Sequence, residues 1–425
     1  MYKNITRNAV SFIKKNILTV LISFALISLT LKENINSISL GLLLIYSYLI
    51  QRKEKGKISQ RLYYPFYILF FLFIFNLLFF DAIEEKDMGK YLLRFIPFFI
   101  IPLSFSYVKI DNKRILHIQI IFFVWILLNA IYSHIVILSR LISDGRDLGL
   151  LFRKDYSYME LSHTIGLDST YYSYFVLLSI VIGFHLLFKG IKMSYKLAIG
   201  FLIVYLSFFI IHLSSRMVII ALIGVIIFYI FYYFFQRKKI ILGAISIIVS
   251  LILLLSIVYN VRATRYRFQQ IFGFTFSNGT THQDGLNKLK QFEASIDANK
   301  DFLFGNGIAN ANNSIIESYL NHDLKHFADN EYNAHNQYIQ TYIGAGIIGV
   351  ITLIYLLGYF LLIFLKYRNI NGFLFLFLSS FLFLTESYLE RHNGIVLLTL
   401  YTCLNVNFII QSKKDHSKCL NAGSY

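Results

Sequence analysis

Residues 195–235 read YKLAIGFLIVYLSFFIIHLSSRMVIIALIGVIIFYIFYYFF, an apolar run broken only at His212-Leu213-Ser214-Ser215-Arg216. One helix of that length would overshoot the ~30 Å hydrocarbon core of a bilayer, so the polar break predicts a tight hairpin at one membrane face. The rest of the chain follows suit. Of its 425 residues, 56% are hydrophobic, 17% aromatic and 15% charged, with a mean hydropathy of +0.59 and 3 prolines. Soluble domains carry about 25% charge, so a soluble globular protein is excluded. Hydropathy predicts spans near 16–31, 35–50, 63–80, 91–108, 115–138, 169–188, 195–213, 217–235, 240–259, 336–365, 371–389 and 393–410. The expected fold is an all-α polytopic membrane protein: a single membrane domain, 1–425, with about 12 transmembrane helices. One long outer loop, 260–335, containing short helices, is expected between helices 9 and 10.

The first span follows Lys3, Arg7, Lys14 and Lys15 as a signal peptide would, but it ends in Thr30-Leu31-Lys32-Glu33 without a small-x-small cleavage site. It reads as an uncleaved helix. With the amino terminus in the cytoplasm, the inner segments are 1–15, 51–62, 109–114, 189–196, 236–239, 366–370 and 411–425. They hold 23 of the 40 Lys and Arg, against three acids, Glu54, Asp111 and Asp415. The net charge of +17 is therefore a topology signal that puts both termini inside. Basic residues dealt among short loops, and not gathered on one face, argue against nucleic-acid binding. Cys403 lies inside a span and Cys419 in a lysine-bearing tail, so neither a disulfide nor a thiolate metal site is indicated.

Loops above ~15 residues are usually functional. In the long one, Leu289, Phe292 and Ile296 behind Asp284-Gly285 predict an amphipathic helix over 285–298, and Phe304-Gly305-Asn306-Gly307 predicts a turn. The span centres are nearly free of Asp, Glu, Lys and Arg, unlike those of an ion-coupled transporter. His117, His134 and His185 lie near span ends and read as packed or interfacial. Arg216, Arg262, Arg265, Arg267, His335, Glu386, Glu390, Arg391 and His392 all fall at the outer boundary, which points to a site there. Arg216 reads as a snorkelling arginine or as an anion clamp. The triplet Arg262, Arg265 and Arg267 reads as a lipid-headgroup contact or as part of the same clamp. His322 and His326, four apart, would share a helix face but lack a firm third ligand, so no metal is expected. Glu85-Lys86-Asp87 is a poor substitute for an Asp-x-Asp motif, and no nucleotide fingerprint is present.

The stretch from Ala334-His335-Asn336-Gln337 to Gly344-Ala345-Gly346-Ile347-Ile348-Gly349 resembles the helix entry after the long periplasmic loop of the bacterial O-antigen ligase and O-antigen polymerase family. Ser215-Arg216 resembles the family's Ser-Arg pair. Asn299 to Gly307 resembles its Asn-x-x-Leu-Phe-Gly-x-Gly run, and Thr385-Glu386-Ser387-Tyr388-Leu389-Glu390-Arg391 resembles its Thr-Glu-Ser-x-Leu-Glu-Arg segment. These motifs cover about 195–395. Asp168-Ser169-Thr170-Tyr171-Tyr172 stands where relatives have His-Pro-Ser-Tyr.

The resemblance implies transfer of a glycan from an undecaprenyl-diphosphate carrier to a sugar hydroxyl of a glycan or lipid A-core acceptor, on the periplasmic face of the bacterial cytoplasmic membrane. It implies no cofactor. In this reading His335 is the general base and Asn336 orients the imidazole or a sugar hydroxyl. Arg216 with Arg262, Arg265 and Arg267 neutralises the diphosphate. Glu386 and Arg391 grip the acceptor or pair with each other. Direct attack inverts the anomeric centre without a metal. Polymerase is favoured slightly over ligase. The alternatives are a flippase or exporter of lipid-linked glycans, which would line a cavity with charge, and a polyprenyl-monophosphate-dependent transferase, which would want acids in the first outer loop.

Overall fold

The computed structural model describes residues 16–51, 60–80, 85–271 and 282–422. Residues 1–15, expected on the inner side, most of 51–62 and the side chains of Glu85-Lys86-Asp87 and of the lysine-bearing tail lie outside the described residues. Every regular element described is a helix. Each predicted span falls on one, and nine described helices are long and apolar enough to cross a bilayer: Gln60–Phe79, Met88–Tyr107, Asn112–Ser143, Ser169–Leu187, Met193–His212, Arg216–Gln236, Ile240–Asn260, Gln337–Lys366 and His392–Ser412. Asn16–Thr30 and Ile370–Leu382 are shorter apolar helices. Glu33–Gln51 opens on polar residues, Glu33, Asn34, Asn36 and Ser37. Such helices, with long rows of outward apolar side chains, make this an integral membrane protein.

Two compact units make up the chain. The first is Met1–Phe122 with Gln291–Tyr425, the second Phe123–Lys290. In the first, His392–Ser412 is the central helix, 89% of it buried, and Phe66 packs against Phe98 and Phe360 with ring centroids 6.1 and 5.0 Å apart. In the second, Ser169–Leu187 is central and 78% buried, while Ile240–Asn260 is only 11% buried. Ile241, Ile245, Ile248 and Ile252 point outward from that peripheral helix, which is tolerable only where the surroundings are as apolar as the side chains.

Three predicted boundaries change. The 371–389 span stops at Leu382 and turns through a short 3-10 helix, Tyr388–Glu390, because carrying Glu386 along an apolar helix would desolvate its carboxylate. The 336–365 span is kinked: Ala345 and Gly346 leave helical geometry, Gly346 at φ 62, ψ −166. The kink receives the Phe304–Gly307 turn. Asn306 N donates to the Ile343 carbonyl (2.7 Å), and Ile347 N donates to that of Phe302 (2.9 Å). A Cβ on Gly305 would lie 2.6 Å from Gly346 N and from the Ile343 carbonyl. Only two glycines let these backbones meet. The third change is that His322 caps the end of Ala311–Asn321 whereas His326 belongs to a separate helix, Lys325–Asp329. They do not share a helix face.

The hairpin is as expected. One helix ends at His212, Ser214 turns at φ 53 and the next begins at Arg216. The predicted amphipathic helix is His282–Asp297. Its last turns, within the first unit, join Ala311, Ile315, Tyr319, Leu324, Ala328, Ala334 and Ile343 in a small core of their own.

Candidate functional site

That small core fixes the approach to His335. Tyr319 is wholly buried, and its hydroxyl accepts from Gln291 Nε2 (3.2 Å) and donates to the Asn333 carbonyl (3.1 Å). Burial raises this hydroxyl above its ordinary pKa, with the bonds to Ser295 and Gln291 opposing. Asn333 Oδ1 then accepts the His335 backbone N–H (2.9 Å). His335 sits at φ 45, a left-handed position that histidine tolerates better than most residues. Its ring meets Tyr332 edge-on, centroids 5.6 Å apart. Its Nδ1 lies 3.7 Å from Glu386 Oε2, too long for a hydrogen bond but close enough for charge to matter. With Nδ1 turned to the carboxylate, Nε2 is the nitrogen positioned to take a proton.

Asn336 is the cap of the following helix. Its Oδ1 accepts from Tyr338 N (2.9 Å) and Ile339 N (3.1 Å), and its Nδ2 donates to the Leu384 carbonyl (3.1 Å). These bonds aim the amide at backbone. Gln337 Oε1 accepts Leu389 N (2.6 Å), so the His335 segment and the loop carrying Glu386 are tied directly. Arg391 is exposed just before the last helix. The ion pair at this turn joins Glu390 to Arg94, at 3.0 Å, with side chains 15% and 25% exposed. Burial raises the Glu390 carboxyl above its ordinary range, against the pull of Arg94. Glu390 also lines a cleft with Gln337, Gln340, Thr341, Phe73 and Phe95. His392 meets Asn36 Oδ1 at 2.9 Å, where it pins the start of the last helix.

The arginines lie in the second unit, at and after the hairpin. Ser214 Oγ and Thr264 Oγ1 are 2.9 Å apart, and Thr264 donates to the Ile211 carbonyl (2.6 Å), which ties the hairpin to the helix Arg262–Ile271. Arg216 donates to the Arg267 carbonyl at 3.3 Å. The Arg267 guanidinium lies over the Tyr158 ring, 3.7 Å from its centroid, and its Nε is buried without a hydrogen-bond partner among the described residues. Arg265 lies over Tyr259 at 5.1 Å, and Arg262 is exposed. Arg216 and Arg267 are therefore brought together, whereas Arg262 and Arg265 have other surroundings. Both guanidiniums are half-buried, and guanidinium N–H groups suit the paired oxygens of phosphate or carboxylate.

Beside the hairpin a partly buried chain of bonds joins Tyr205 OH to His134 Nδ1 (3.0 Å), His134 Nε2 to His212 Nδ1 (3.1 Å), and His212 Nε2 to the Leu151 carbonyl (3.1 Å). A carbonyl only accepts, so His212 Nε2 donates, His134 Nε2 donates to His212, and Tyr205 donates to His134. His134 thus stitches helices together. Asp168, in the stretch that departs from the family pattern, accepts from Thr170 N (2.8 Å) and caps its helix.

Sequence reasoning did not single out Arg94, Asn76, Tyr158 or the His134–His212 pair. Asn76 is buried in an apolar helix, where it donates to the Phe304 carbonyl (2.7 Å) and accepts Ile308 N (2.8 Å). A lone Arg or Asn inside a hydrophobic run was the available signal. Among the described residues no three His, Cys, Asp or Glu gather as metal ligands. His322 instead meets Asp297 (3.2 Å) and His326 meets Asn330 (3.3 Å).

Residues 201–354 match a family model described as O-antigen ligase. The match takes in Arg216, Arg262, Arg265, Arg267, His335 and Asn336, and ends before Glu386 and Arg391. No curated protein matches the chain.

Proposed function

Starting from a membrane protein whose O-antigen ligase match is consistent with the O-antigen ligase and polymerase family, we propose that the chain transfers a glycan from undecaprenyl diphosphate to an acceptor sugar hydroxyl on the outer face of the cytoplasmic membrane. The observation that carries this reading is that the match contains both the Arg216–Arg267 pair and the His335 segment. A sugar on a diphosphate brings its own leaving group, so what remains for the protein is a base and a cation. The acceptor hydroxyl gives its proton to His335 Nε2 while Glu386 stabilises the imidazolium through Nδ1. The acceptor oxygen bonds to the anomeric carbon, and the carbon–oxygen bond to the diphosphate breaks. The bonding pair leaves with undecaprenyl diphosphate, whose charge Arg216 and Arg267 neutralise. Attack opposite the leaving group inverts the centre, and this scheme uses no metal. Asn336 acts through the backbone that presents His335; Arg262, Arg265 and Arg391 are assigned to headgroups and the acceptor. Polymerase activity, one carrier-linked glycan extended by another, is the preferred form, because it requires no lipopolysaccharide acceptor.

The test is glycan assembly in a deletion strain complemented with wild type, His335→Ala or Arg216→Ala at equal membrane expression. Loss of product with carrier-linked units accumulating on the outer face supports the reading: single repeats mean polymerase and long chains mean ligase. Full activity in both variants overturns the site, and accumulation on the inner face when the protein is absent means a flippase.

A further inference from the structure

Tyr158 belongs to no motif, yet its backbone is unusual. It takes φ 58, ψ −116, a region costly for any residue with a Cβ and retained only where surroundings enforce it. Two bonds enforce it here: Tyr158 N donates to the His212 carbonyl (3.2 Å), and the Tyr158 carbonyl accepts Ser162 N (3.2 Å). His212 is itself immobilised by His134 and Leu151. The strained turn thus sets the Tyr158 ring against a fixed point of the hairpin, and on that ring lies Arg267 at 3.7 Å. A π face can hold the guanidinium by its flat side, but it gives the N–H edge no acceptor. The buried Nε without a partner is that edge. Arg216, bonded to the Arg267 carbonyl, adds a second cation.

We propose that Tyr158 is a positioning residue, a strained aromatic platform that holds Arg267, whose backbone carbonyl receives Arg216, with its buried Nε–H left for a diphosphate oxygen to take up. This rests on the diphosphate chemistry proposed above, and it separates Arg267 from Arg262 and Arg265, which the sequence left equivalent. The step it serves is binding, so no bond changes at Tyr158.

The experiment uses the full-length protein in nanodiscs, with inorganic pyrophosphate as the probe, and compares Tyr158→Phe, Tyr158→Leu and Tyr158→Gly. Phe keeps the ring and is expected to bind as wild type does. Leu loses the π face and is expected to bind about tenfold more weakly, the scale of a desolvated cation–π contact. Gly relieves the backbone while removing the ring, so it is expected to melt no lower than Leu yet bind equally weakly. In turnover, Leu and Gly raise the KM for the lipid-linked donor and leave that for the acceptor unchanged. Wild-type pyrophosphate binding by Leu, recovery of binding in Gly, weakness in Phe, or no pyrophosphate binding by wild type would each overturn the platform. Failure of the proposed function registers elsewhere, as absence of glycan transfer by a wild type that does bind pyrophosphate.

Discussion

Replacing Gly346 by alanine tests the contact that holds the long connection to its helix. Gly346 lies at φ 62, ψ −166, a conformation that is essentially glycine's alone and costs another residue about 1–3 kcal/mol. The added Cβ would also run into the Leu303 carbonyl and Phe304 N. Those are backbone atoms, and no side-chain rotation clears them. Moving the turn away breaks Asn306 N to Ile343 O and Ile347 N to Phe302 O, at roughly 1 kcal/mol net each. The expected loss is about 3–5 kcal/mol. Gly358 provides the control on the same helix: nothing lies within 4 Å of its would-be Cβ, so Gly358→Ala should be neutral or stabilising by up to ~1 kcal/mol. Denaturant unfolding of both variants in one detergent measures the difference. If Gly346→Ala came within about 1 kcal/mol of Gly358→Ala, the docked-turn argument would be wrong.

Asn336→Ala should cost about 1–2 kcal/mol through the lost cap, and Asn336→Asp, which keeps Oδ1, should restore most of the stability and activity; equal inactivation of both would mean that the amide touches substrate. His335→Gln is expected to lower kcat by about 10²–10⁴ with donor KM little changed, and retained turnover in a steady-state assay rules out the base role. For Arg94→Gln the sign follows from Glu390, whose folded-state pKa is raised by burial. Its ionised form costs stability above that value, and protonation on acidification relieves the cost. Without Arg94 the cost deepens, so the variant should lose about 3 kcal/mol near neutral pH and recover part of it on acidification; a deficit that stays constant with pH contradicts this. His212→Leu strands the His134 donor and the Leu151 carbonyl, for an expected loss of about 2–4 kcal/mol in the same unfolding assay; a loss below ~1 kcal/mol would show that the chain of bonds carries no stability.

Part of the site was legible because chemistry-bearing residues were few and set in local patterns. His335-Asn336 opens a helix, Ser215-Arg216 turns a hairpin, and both stand out from apolar surroundings. Partners were not legible. Glu386 faces His335 and Glu390 faces Arg94, although the sequence had left Glu386 and Arg391, five residues apart, either to grip the acceptor or to pair with each other. Neighbours on a turn point in different directions, and which one meets a distant residue depends on how the turn packs. The same limit explains why Arg262, Arg265 and Arg267 looked equivalent: on Arg262–Ile271 the first two, three residues apart, share a side, whereas Arg267 projects from another and lies over Tyr158.

The sequence by itself determined that the chain is built of apolar helices, because a bilayer demands an unbroken apolar run with every backbone group bonded within the segment. It also determined the hairpin at 212–216, since no single bilayer span is that long and the polar break belongs at a membrane face. Tertiary structure alone decided the kink at Gly346, the early end at Leu382, and the roles of Asn76, Arg94 and Tyr158. Each depends on a group brought from far along the chain, whether a loop carbonyl, a carboxylate or a second cation. Periodicity and composition are local properties, and such a meeting is specified only when the helices pack.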